Sequence, residues 1–168
     1  GDDLVGYGVD AQTGAATIEG GAGSDALQAW FTTAGIGVTV DGGAGDDSIS
    51  GSSAAESLLG GDGADTIFAS SGDDTVEGGA GDDSINGSND DDSIDGGAGD
   101  DLLEGEQGDD SIDGGADGAA GDTAVFNGAF ASYVFTDLGG GVARVRDLVG
   151  ADGVDEVVNV EFFQFTDQ

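Results

Sequence analysis

The sequence predicts an all-β fold: a right-handed parallel β-roll in which 18-residue coils build two sheets, closed by a C-terminal β-hairpin cap. Three observations predict this fold. A nine-residue period runs through most of the 168 residues, near-perfect and degenerate copies alternate, and each copy has one aliphatic residue at its eighth position. Short units that cannot bury an apolar face alone are typical of stacked-coil architectures.

The best copies of the nonapeptide, which we call strong units, begin 18 residues apart: GGAGDDSIS from Gly42, GGDGADTIF from Gly60, GGAGDDSIN from Gly78 and GGAGDDLLE from Gly96. Weak units lie between them: GSSAAESLL from Gly51, ASSGDDTVE from Ala69, GSNDDDSID from Gly87 and GEQGDDSID from Gly105. Because the two kinds alternate, one coil should hold one of each. Strong turns then stack along one edge of the roll, the strong edge, and weak turns along the other, the weak edge.

Two longer coils are expected upstream. GGAGSDALQ (Gly20 to Gln28) is another strong unit, and GDDLVG (Gly1 to Gly6) has the form of the end of one more. Each is followed by a 13-residue segment, Tyr7 to Glu19 and Ala29 to Asp41, which predicts 22-residue coils that widen around Trp30 and Phe31. The chain then divides into a roll over 1–122, with wider coils in 1–41, and a C-terminal segment over 123–168.

Each nonapeptide should contribute one short strand with alternating faces. The eighth position should point inward, as Leu27, Ile49, Ile67, Ile85 and Leu103 after strong turns and Leu58, Val76, Ile94 and Ile112 after weak turns. Ser or Thr at position seven should point outward, at Ser48, Thr66, Thr75, Ser84, Ser93 and Ser111. No apolar period of 3.6 residues occurs in 1–122, so no helix is expected there.

The charge balance excludes several function classes. The chain has 36 acidic residues against two basic ones, Arg144 and Arg146, and a formal net charge of -34. Nucleic acid and anionic membranes are therefore poor partners, and no apolar run is long enough for stable membrane insertion. Two interpretations remain for so acidic a chain: a disordered segment, or a fold whose carboxylates are neutralised by hard cations.

The spacing of the carboxylates favours the second interpretation. Position six of the strong units is always an aspartate, at Asp25, Asp47, Asp65, Asp83 and Asp101. Stacking brings these like charges together, where they repel one another. Carboxylates together with carbonyls exposed by glycine turns suit Ca²⁺, which takes about six to eight oxygen ligands, better than Mg²⁺. The chain has no His or Cys, which argues against zinc.

The pattern GGxGxD followed by x-aliphatic-x resembles the RTX, or haemolysin-type, calcium-binding nonapeptide. In that family each Ca²⁺ lies between turns of adjacent coils. Its ligands are the carbonyls of positions two and four and the position-six Asp of one turn, with the carbonyls of positions one and three and the position-six Asp of the next. The resemblance implies four ligand sets on the strong edge: Gly21, Gly23, Asp25, Gly42, Ala44 and Asp47; Gly43, Gly45, Asp47, Gly60, Asp62 and Asp65; Gly61, Gly63, Asp65, Gly78, Ala80 and Asp83; and Gly79, Gly81, Asp83, Gly96, Ala98 and Asp101.

On the weak edge the resemblance implies two further sets: Ser70, Gly72, Asp74, Gly87, Asn89 and Asp92; and Ser88, Asp90, Asp92, Gly105, Gln107 and Asp110. Glu56 stands where the other units have aspartate. Because its side chain is one methylene longer, the site that it would share with Asp74 is not counted among these sets. The resemblance implies about six to eight Ca²⁺ ions in all.

The composition changes after GGADGAAGD (Gly114 to Asp122), which has the form of a strong turn with a three-residue insertion. Ser132 to Leu138, a turn at Gly139 to Gly141, and Val142 to Leu148 predict a β-hairpin, and Glu156 to Phe165 a further strand. Six of the eight Phe residues lie in this segment, as expected of a hydrophobic cap that closes the end of the roll.

The C-terminal segment is similar to the tail that follows RTX repeats in many secreted proteins. This resemblance implies a monomeric, extracellular module that passes unfolded through a type I ABC secretion system, folds on meeting calcium, and supports an N-terminal passenger domain of a larger protein. That parent could be an enzyme such as a protease, lipase, epimerase or polysaccharide lyase. The segment itself lacks the His, Cys and Lys on which common catalytic sites depend, so no enzymatic activity is expected of it. An adhesin or an ice- or glycan-binding repeat surface remains the alternative.

Overall fold

The structure is a computed structural model that describes residues 4–7, 16–29 and 37–167, and these fold into two sheets. Sheet A has the strand order β1 (Leu4–Tyr7), β3 (Ala26–Ala29), β5 (Ser48–Ser50), β7 (Thr66–Ser71), β9 (Ser84–Asn89), β11 (Leu102–Gln107), β13 (Thr123–Phe126) and β17 (Phe162–Phe165). Sheet B has the order β2 (Ala16–Ala22), β4 (Val38–Ala44), β6 (Glu56–Asp62), β8 (Thr75–Ala80), β10 (Ser93–Gly99), β12 (Ser111–Asp117), β16 (Val154–Val158), β15 (Val142–Asp147) and β14 (Tyr133–Gly139). The chain alternates between the sheets through β13, as a parallel roll requires.

The strand register confirms both predicted coil lengths. Ile49 pairs with Ile67 in sheet A, and Leu58 pairs with Val76 in sheet B, both 18 residues apart. Upstream, Leu27 pairs with Ile49 across a 22-residue coil. Trp30 and Phe31, which were expected to widen these early coils, lie outside the described residues.

The predicted inward positions form the core between the two sheets. All nine position-eight residues from Leu27 to Ile112 are at most 2% exposed. The position-seven residues lie on the outer faces, five of them exposed and Thr66 half-buried. They divide between the sheets, with Ser48, Thr66 and Ser84 adjacent in sheet A and Thr75, Ser93 and Ser111 adjacent in sheet B. In sheet B the strand register continues this polar row through Ser57, Thr39 and Thr17, so the row there has six Ser or Thr residues.

The predicted three-residue insertion before Asp122 is confirmed by the register, because Leu102 pairs with Thr123 rather than with a residue 18 positions along. The carboxylate of Asp100 holds the inserted loop, accepting hydrogen bonds from the backbone N–H groups of Ala120 (2.8 Å) and Gly121 (2.7 Å). These bonds stabilise the anion and lower the pKa of Asp100. The extra residues therefore bulge outward without disturbing the stack.

The predicted hairpin is present, since β14 and β15 pair antiparallel. The expectation of one strand over Glu156 to Phe165 is wrong. The segment forms β16, which pairs parallel with β12, and β17, which pairs parallel with β13, and the chain turns between them at Asn159 with a φ of 52°. The physical reason is that Val157 and Phe163 pack on the core from opposite sheets, which one straight strand cannot achieve. The segment thus adds another turn to the roll.

Aromatic rings gather at this end of the core, as the predicted cap requires. The rings of Phe126 and Phe165 stack at 5.6 Å, and Tyr133 lies 5.3 Å from each. Such contacts add to the free energy gained by burying the rings. Within the described part of the chain, the one helical element is a 3₁₀ turn at Phe130–Ser132, and no helix is long and apolar enough to cross a bilayer.

Candidate metal centre

The position-six aspartates form two ladders, one along each edge of the roll. On the strong edge, the backbone N–H of each aspartate donates to Oδ1 of the aspartate in the next coil, at 2.7 to 2.8 Å, through the series Asp25, Asp47, Asp65, Asp83, Asp101 and Asp122. On the weak edge the same bond runs at 2.7 to 3.1 Å through Glu56, Asp74, Asp92, Asp110 and Asp155. The predicted juxtaposition of aspartates one coil apart is therefore confirmed.

The second carboxylate oxygen of these aspartates points into the turn. It is buried and accepts no hydrogen bond in Asp47, Asp65, Asp83 and Asp101 on the strong edge and in Asp74, Asp92 and Asp110 on the weak edge. The seven side chains are between 1% and 3% exposed. Burying a carboxylate oxygen without a hydrogen-bond partner costs free energy, because its hydration is lost and no new interaction replaces it. A bound cation or a proton on each of these oxygens would offset that cost.

On the strong edge, the first glycine of each turn leaves open the space that the Oδ2 atoms face. A Cβ added to Gly42 would lie 2.6 Å from the carbonyl oxygen of Gly60 and still closer to Oδ2 of Asp47. The corresponding positions at Gly60, Gly78 and Gly96 are bordered in the same way, by the Oδ2 atom of their own turn and the first carbonyl of the next. Each of these strong turns therefore has a cradle lined by oxygen atoms, and a Cβ at position one would fill it; the weak turn of Asp74 differs, because it begins with Ala69.

The backbone at positions two and four has a positive φ on both edges. Glycine supplies it on the strong edge, for example at Gly43 (103°) and Gly45 (127°). On the weak edge Ser70 (89°), Ser88 (81°) and Asp90 (76°) adopt it although they carry side chains. This conformation costs a non-glycine residue roughly 1–2 kcal/mol. Its persistence indicates that the direction of these carbonyls matters to the site.

The buried carboxylates have raised pKa values. Burial, reinforced by the charges of neighbouring carboxylates, raises the pKa of Asp74 to about 8 and the pKa values of Asp83 and Asp92 to about 7. The same causes raise the pKa of Asp110 to about 6 and that of Asp155 to about 8. In each case the backbone N–H donated by the preceding coil opposes the shift but does not cancel it. Burial therefore makes these anions less favourable than those of exposed carboxylates, and a nearby positive charge would offset that cost.

The structure brings together the residues of all six predicted ligand sets. Positions two and three align between coils, as in the pairs Gly43 with Gly61 and Ser70 with Ser88. The position-three carbonyl of Asp62 accepts a hydrogen bond from the N–H of Gly45 at 2.7 Å, and its second lone pair stays available to an ion. The alignment matches the predicted sets, and ligation by them is a proposal.

Glu56 is an exception on the weak edge. Its longer side chain folds back onto its own turn, where Oε2 accepts from the backbone N–H of Ser52 at 2.8 Å and Oε1 accepts from the Ser52 hydroxyl. The extra methylene therefore gives the Glu56 carboxylate enough reach to accept hydrogen bonds from Ser52. Both carboxylate oxygens of Glu56 are therefore occupied, and Oδ2 of Asp74 is the one carboxylate oxygen of this pair that accepts no hydrogen bond.

The predicted ligand sets leave out three residues of the ladders. Asp122 continues the strong edge after the insertion, and Asp155 continues the weak edge. Glu161 follows Asp122, whose N–H it accepts at Oε2 over 3.0 Å. For Asp155 a signal exists: Gly150 to Val158 reads GADGVDEVV, with glycine at positions one and four, aspartate at six and valine at eight.

The donor chemistry fits a hard cation. Within 4–7, 16–29 and 37–167 no group of three or more His, Cys, Asp or Glu side chains gathers as a metal site, so an ion in these turns would take several ligands from backbone carbonyls. Carboxylate oxygens from two adjacent coils together with carbonyls form an all-oxygen set of the kind that Ca²⁺ prefers, with ligand distances of roughly 2.3–2.6 Å.

Comparison with known proteins agrees with this chemistry. A search of curated proteins finds no match. The family model of the RTX calcium-binding nonapeptide repeat, in four copies, matches residues 10–30, 39–67, 50–85, 59–94 and 86–118, which is more than half of the chain. RTX repeats are structural calcium-binding modules, and the proteins that carry them are typically secreted. The chain therefore belongs to the RTX calcium-binding nonapeptide repeat family.

Proposed function

We propose that this chain is the calcium-dependent folding module of a larger secreted protein: unfolded where calcium is scarce, and folded into a rigid roll outside the cell. The observation that carries the proposal is the double row of buried carboxylate oxygens that accept no hydrogen bond. Such rows oppose folding when empty and favour it when each gap holds a divalent ion.

Electrostatics makes the folding equilibrium depend on the ion. The metal-free chain has a net charge of -34, and folding brings its carboxylates closer together in a medium of lower dielectric constant. Extracellular calcium modules bind with dissociation constants of roughly 10⁻⁴–10⁻³ M, far above cytosolic calcium levels. Because the ions bind the folded state alone, several such sites stabilise it together.

The proposed ions lie between successive turns and use the six predicted ligand sets. Each is held by two position-six aspartates, by carbonyls of positions two and four in one turn, and by carbonyls of positions one and three in the next. On the strong edge Asp47, Asp65 and Asp83 each serve two neighbouring ions, and Asp92 does so on the weak edge. The six sets give four ions on the strong edge and two on the weak edge, a number that is open to direct counting.

The proposed setting is extracellular and the module monomeric. An N-terminal passenger domain would carry the activity of the whole protein, and a type I ABC secretion system would export the chain before it folds. The high negative charge supports this order, because a self-repelling chain stays extended until calcium is present. The aromatic cap supports a closed, monomeric roll, since it covers one end of a core that would otherwise be open.

The test is a calcium titration of the purified chain, followed by circular dichroism and small-angle X-ray scattering. The chain should be expanded in EDTA and become a compact β-protein at millimolar calcium. Equimolar Mg²⁺ should not replace Ca²⁺, because Mg²⁺ demands near-ideal octahedral geometry at roughly 2.0–2.1 Å and gives up its water ligands reluctantly. A spectrum and radius that do not change with calcium would refute the proposal. Refolding of an attached passenger that depends on calcium would extend it to the parent protein.

A further inference from the structure

The weak edge of the roll does not end with the last family repeat. After Gly105 to Asp113, the chain leaves to form β13 and the hairpin, and returns at Gly150 to lie on the same edge. The family match ends at residue 118, so this returning segment lies outside it.

The returning segment reproduces the stacking contacts of a true repeat. The N–H of Asp110 donates to Oδ1 of Asp155 at 3.1 Å, although the two residues are 45 positions apart. The N–H of Val154 donates to Oδ1 of Asp109 at 2.9 Å, as the N–H of Ala64 does to Asp46 in the repeats. The N–H of Glu156 donates to the carbonyl of Asp110 at 2.8 Å, as position seven does elsewhere.

The fourth position of the returning segment also matches. Gly153 has a φ of 75°, and a Cβ added to it would collide with the carbonyl of Gly108, which is the fourth residue of the preceding weak turn. Gly45 has the same relation to Gly23, and Gly63 to Gly45. Gly153 is therefore a position-four glycine in its conformation and in its neighbour.

The meeting of these two turns leaves a buried negative charge without a partner. Asp110 is 2% exposed and Asp155 is 3% exposed, and Oδ2 of Asp110 accepts no hydrogen bond. Arg144 lies nearby, but its ion pair is with Glu156, at 2.5 Å, on the outer side of β16. A cavity of about 470 Å³ lies beside Asp110, on the side where Arg144 and Glu156 pair, and is also lined by Asp109, Ser111 and Val154.

We propose that Asp110 and Asp155 hold a further Ca²⁺ between the last family repeat and the returning segment, and that this ion links the C-terminal segment to the roll. The turn carbonyls of Glu106 and Gly108, whose φ values of 69° and 146° follow the pattern of the repeat sites, complete its ligands from the roll side. The inference rests on the proposed function, because it uses the same ion and the same turn geometry.

The experiment counts calcium ions on the full chain by native mass spectrometry and isothermal titration, comparing wild type with Asp155→Asn. Asparagine keeps an oxygen that can accept from Asp110, so the segment can still stack, but it removes the anionic ligand. The matched control is Asp137→Asn, an exposed aspartate in the hairpin whose Oδ1 accepts from Gly139. D155N should bind one ion fewer than wild type, and D137N the same number.

A second measurement covers the case in which D155N releases the cap. Hydrogen exchange of residues 142–158 should slow with calcium in wild type and lose that dependence in D155N, while residues 60–104 stay protected by calcium in both proteins. An unchanged ion count in D155N overturns the inference, and so does a loss of two or more ions, because Asp155 would then act on the whole edge. A wild type that binds no calcium would instead refute the proposed function itself.

Discussion

Replacing Asp83 by asparagine should have opposite effects on stability with and without calcium. Asp83 lies in the middle of the strong ladder, where its Oδ1 accepts from Asp65 at 2.8 Å and its Oδ2 is buried without a hydrogen bond. Asparagine keeps an oxygen acceptor for Asp65, so the stacking contact can persist. The loss is confined to the charge that two neighbouring ions would share.

The magnitudes follow from the two states. With calcium at about 10 mM and sites of roughly 10⁻⁴–10⁻³ M affinity, each ion stabilises the fold by ~1.4–2.7 kcal/mol, so losing two costs ~3–5 kcal/mol. Without calcium the balance reverses. A pKa of about 7, against an ordinary value of 3.8, disfavours the buried anion by ~4 kcal/mol, and asparagine removes most of that cost.

The assay is urea unfolding followed by circular dichroism, once in calcium and once in EDTA with a stabilising osmolyte that populates the metal-free fold. The control is Asp82→Asn, which removes the same charge from an exposed neighbour whose Oδ1 accepts from Asp100. D83N should be less stable than wild type in calcium and more stable in EDTA, and D82N should change little in either. A change of the same sign in both conditions, or an equal effect of D82N, would refute the reasoning.

Three further predictions follow from the same turns. In EDTA, acidification from about pH 8 to pH 4 should increase β-structure. The reason is that the folded-state pKa values of about 8 for Asp74 and about 7 for Asp92 exceed the unfolded value of 3.8. Protonation therefore stabilises the fold fully below pH 3.8, and this stabilisation is lost as the pH rises through 7 to 8. Circular dichroism that shows no gain on acidification would contradict this. Gly60→Ala should lose calcium and destabilise the loaded roll by ~1–3 kcal/mol or more, because its Cβ would collide with Oδ2 of Asp65 and the carbonyl of Gly78. Gly37→Ala, which has open space around its Cβ, is the control, and equal calcium affinities in the two variants would count against the cradle. Glu56→Asp should bind one more ion than wild type by mass spectrometry, because the shorter side chain releases Ser52 and restores the ladder geometry. Glu56→Gln, the control, should bind no additional ion. An unchanged ion count in E56D would show that something other than side-chain length closes this turn.

The roll could be predicted in detail from the sequence because a repeat turns non-local contacts into a fixed spacing. Once Asp47 and Asp65 are aligned, every other pair at that spacing is aligned too, which is why the two coil lengths and the ladders agree with the structure. Glycine at positions one, two and four marked the turns because few other residues tolerate their conformation and crowding.

The returning segment was missed because its period is interrupted. GADGVDEVV follows a hairpin. Its Ala151 replaces the glycine, serine or glutamate found at position two of the other units, and its Val154 replaces the aspartate, alanine or serine found at position five. The side-chain fold of Glu56 onto Ser52 lay beyond sequence reasoning for another reason. The Glu56 carboxylate could point along the ladder or fold back onto its own turn. The spacing of the repeats does not determine which of these two side-chain conformations it adopts.

The 45-residue separation of Asp110 and Asp155 also bears on how the end of the roll is sealed. Ring closure over 45 residues rather than 18 costs only ~0.8 kcal/mol more in chain entropy, by logarithmic scaling. Distance along the chain is therefore a minor obstacle, and the ordering of the intervening hairpin decides when the last rung forms. Changes in the β14 to β15 turn should consequently alter the rate at which this end closes while leaving the inner coils untouched.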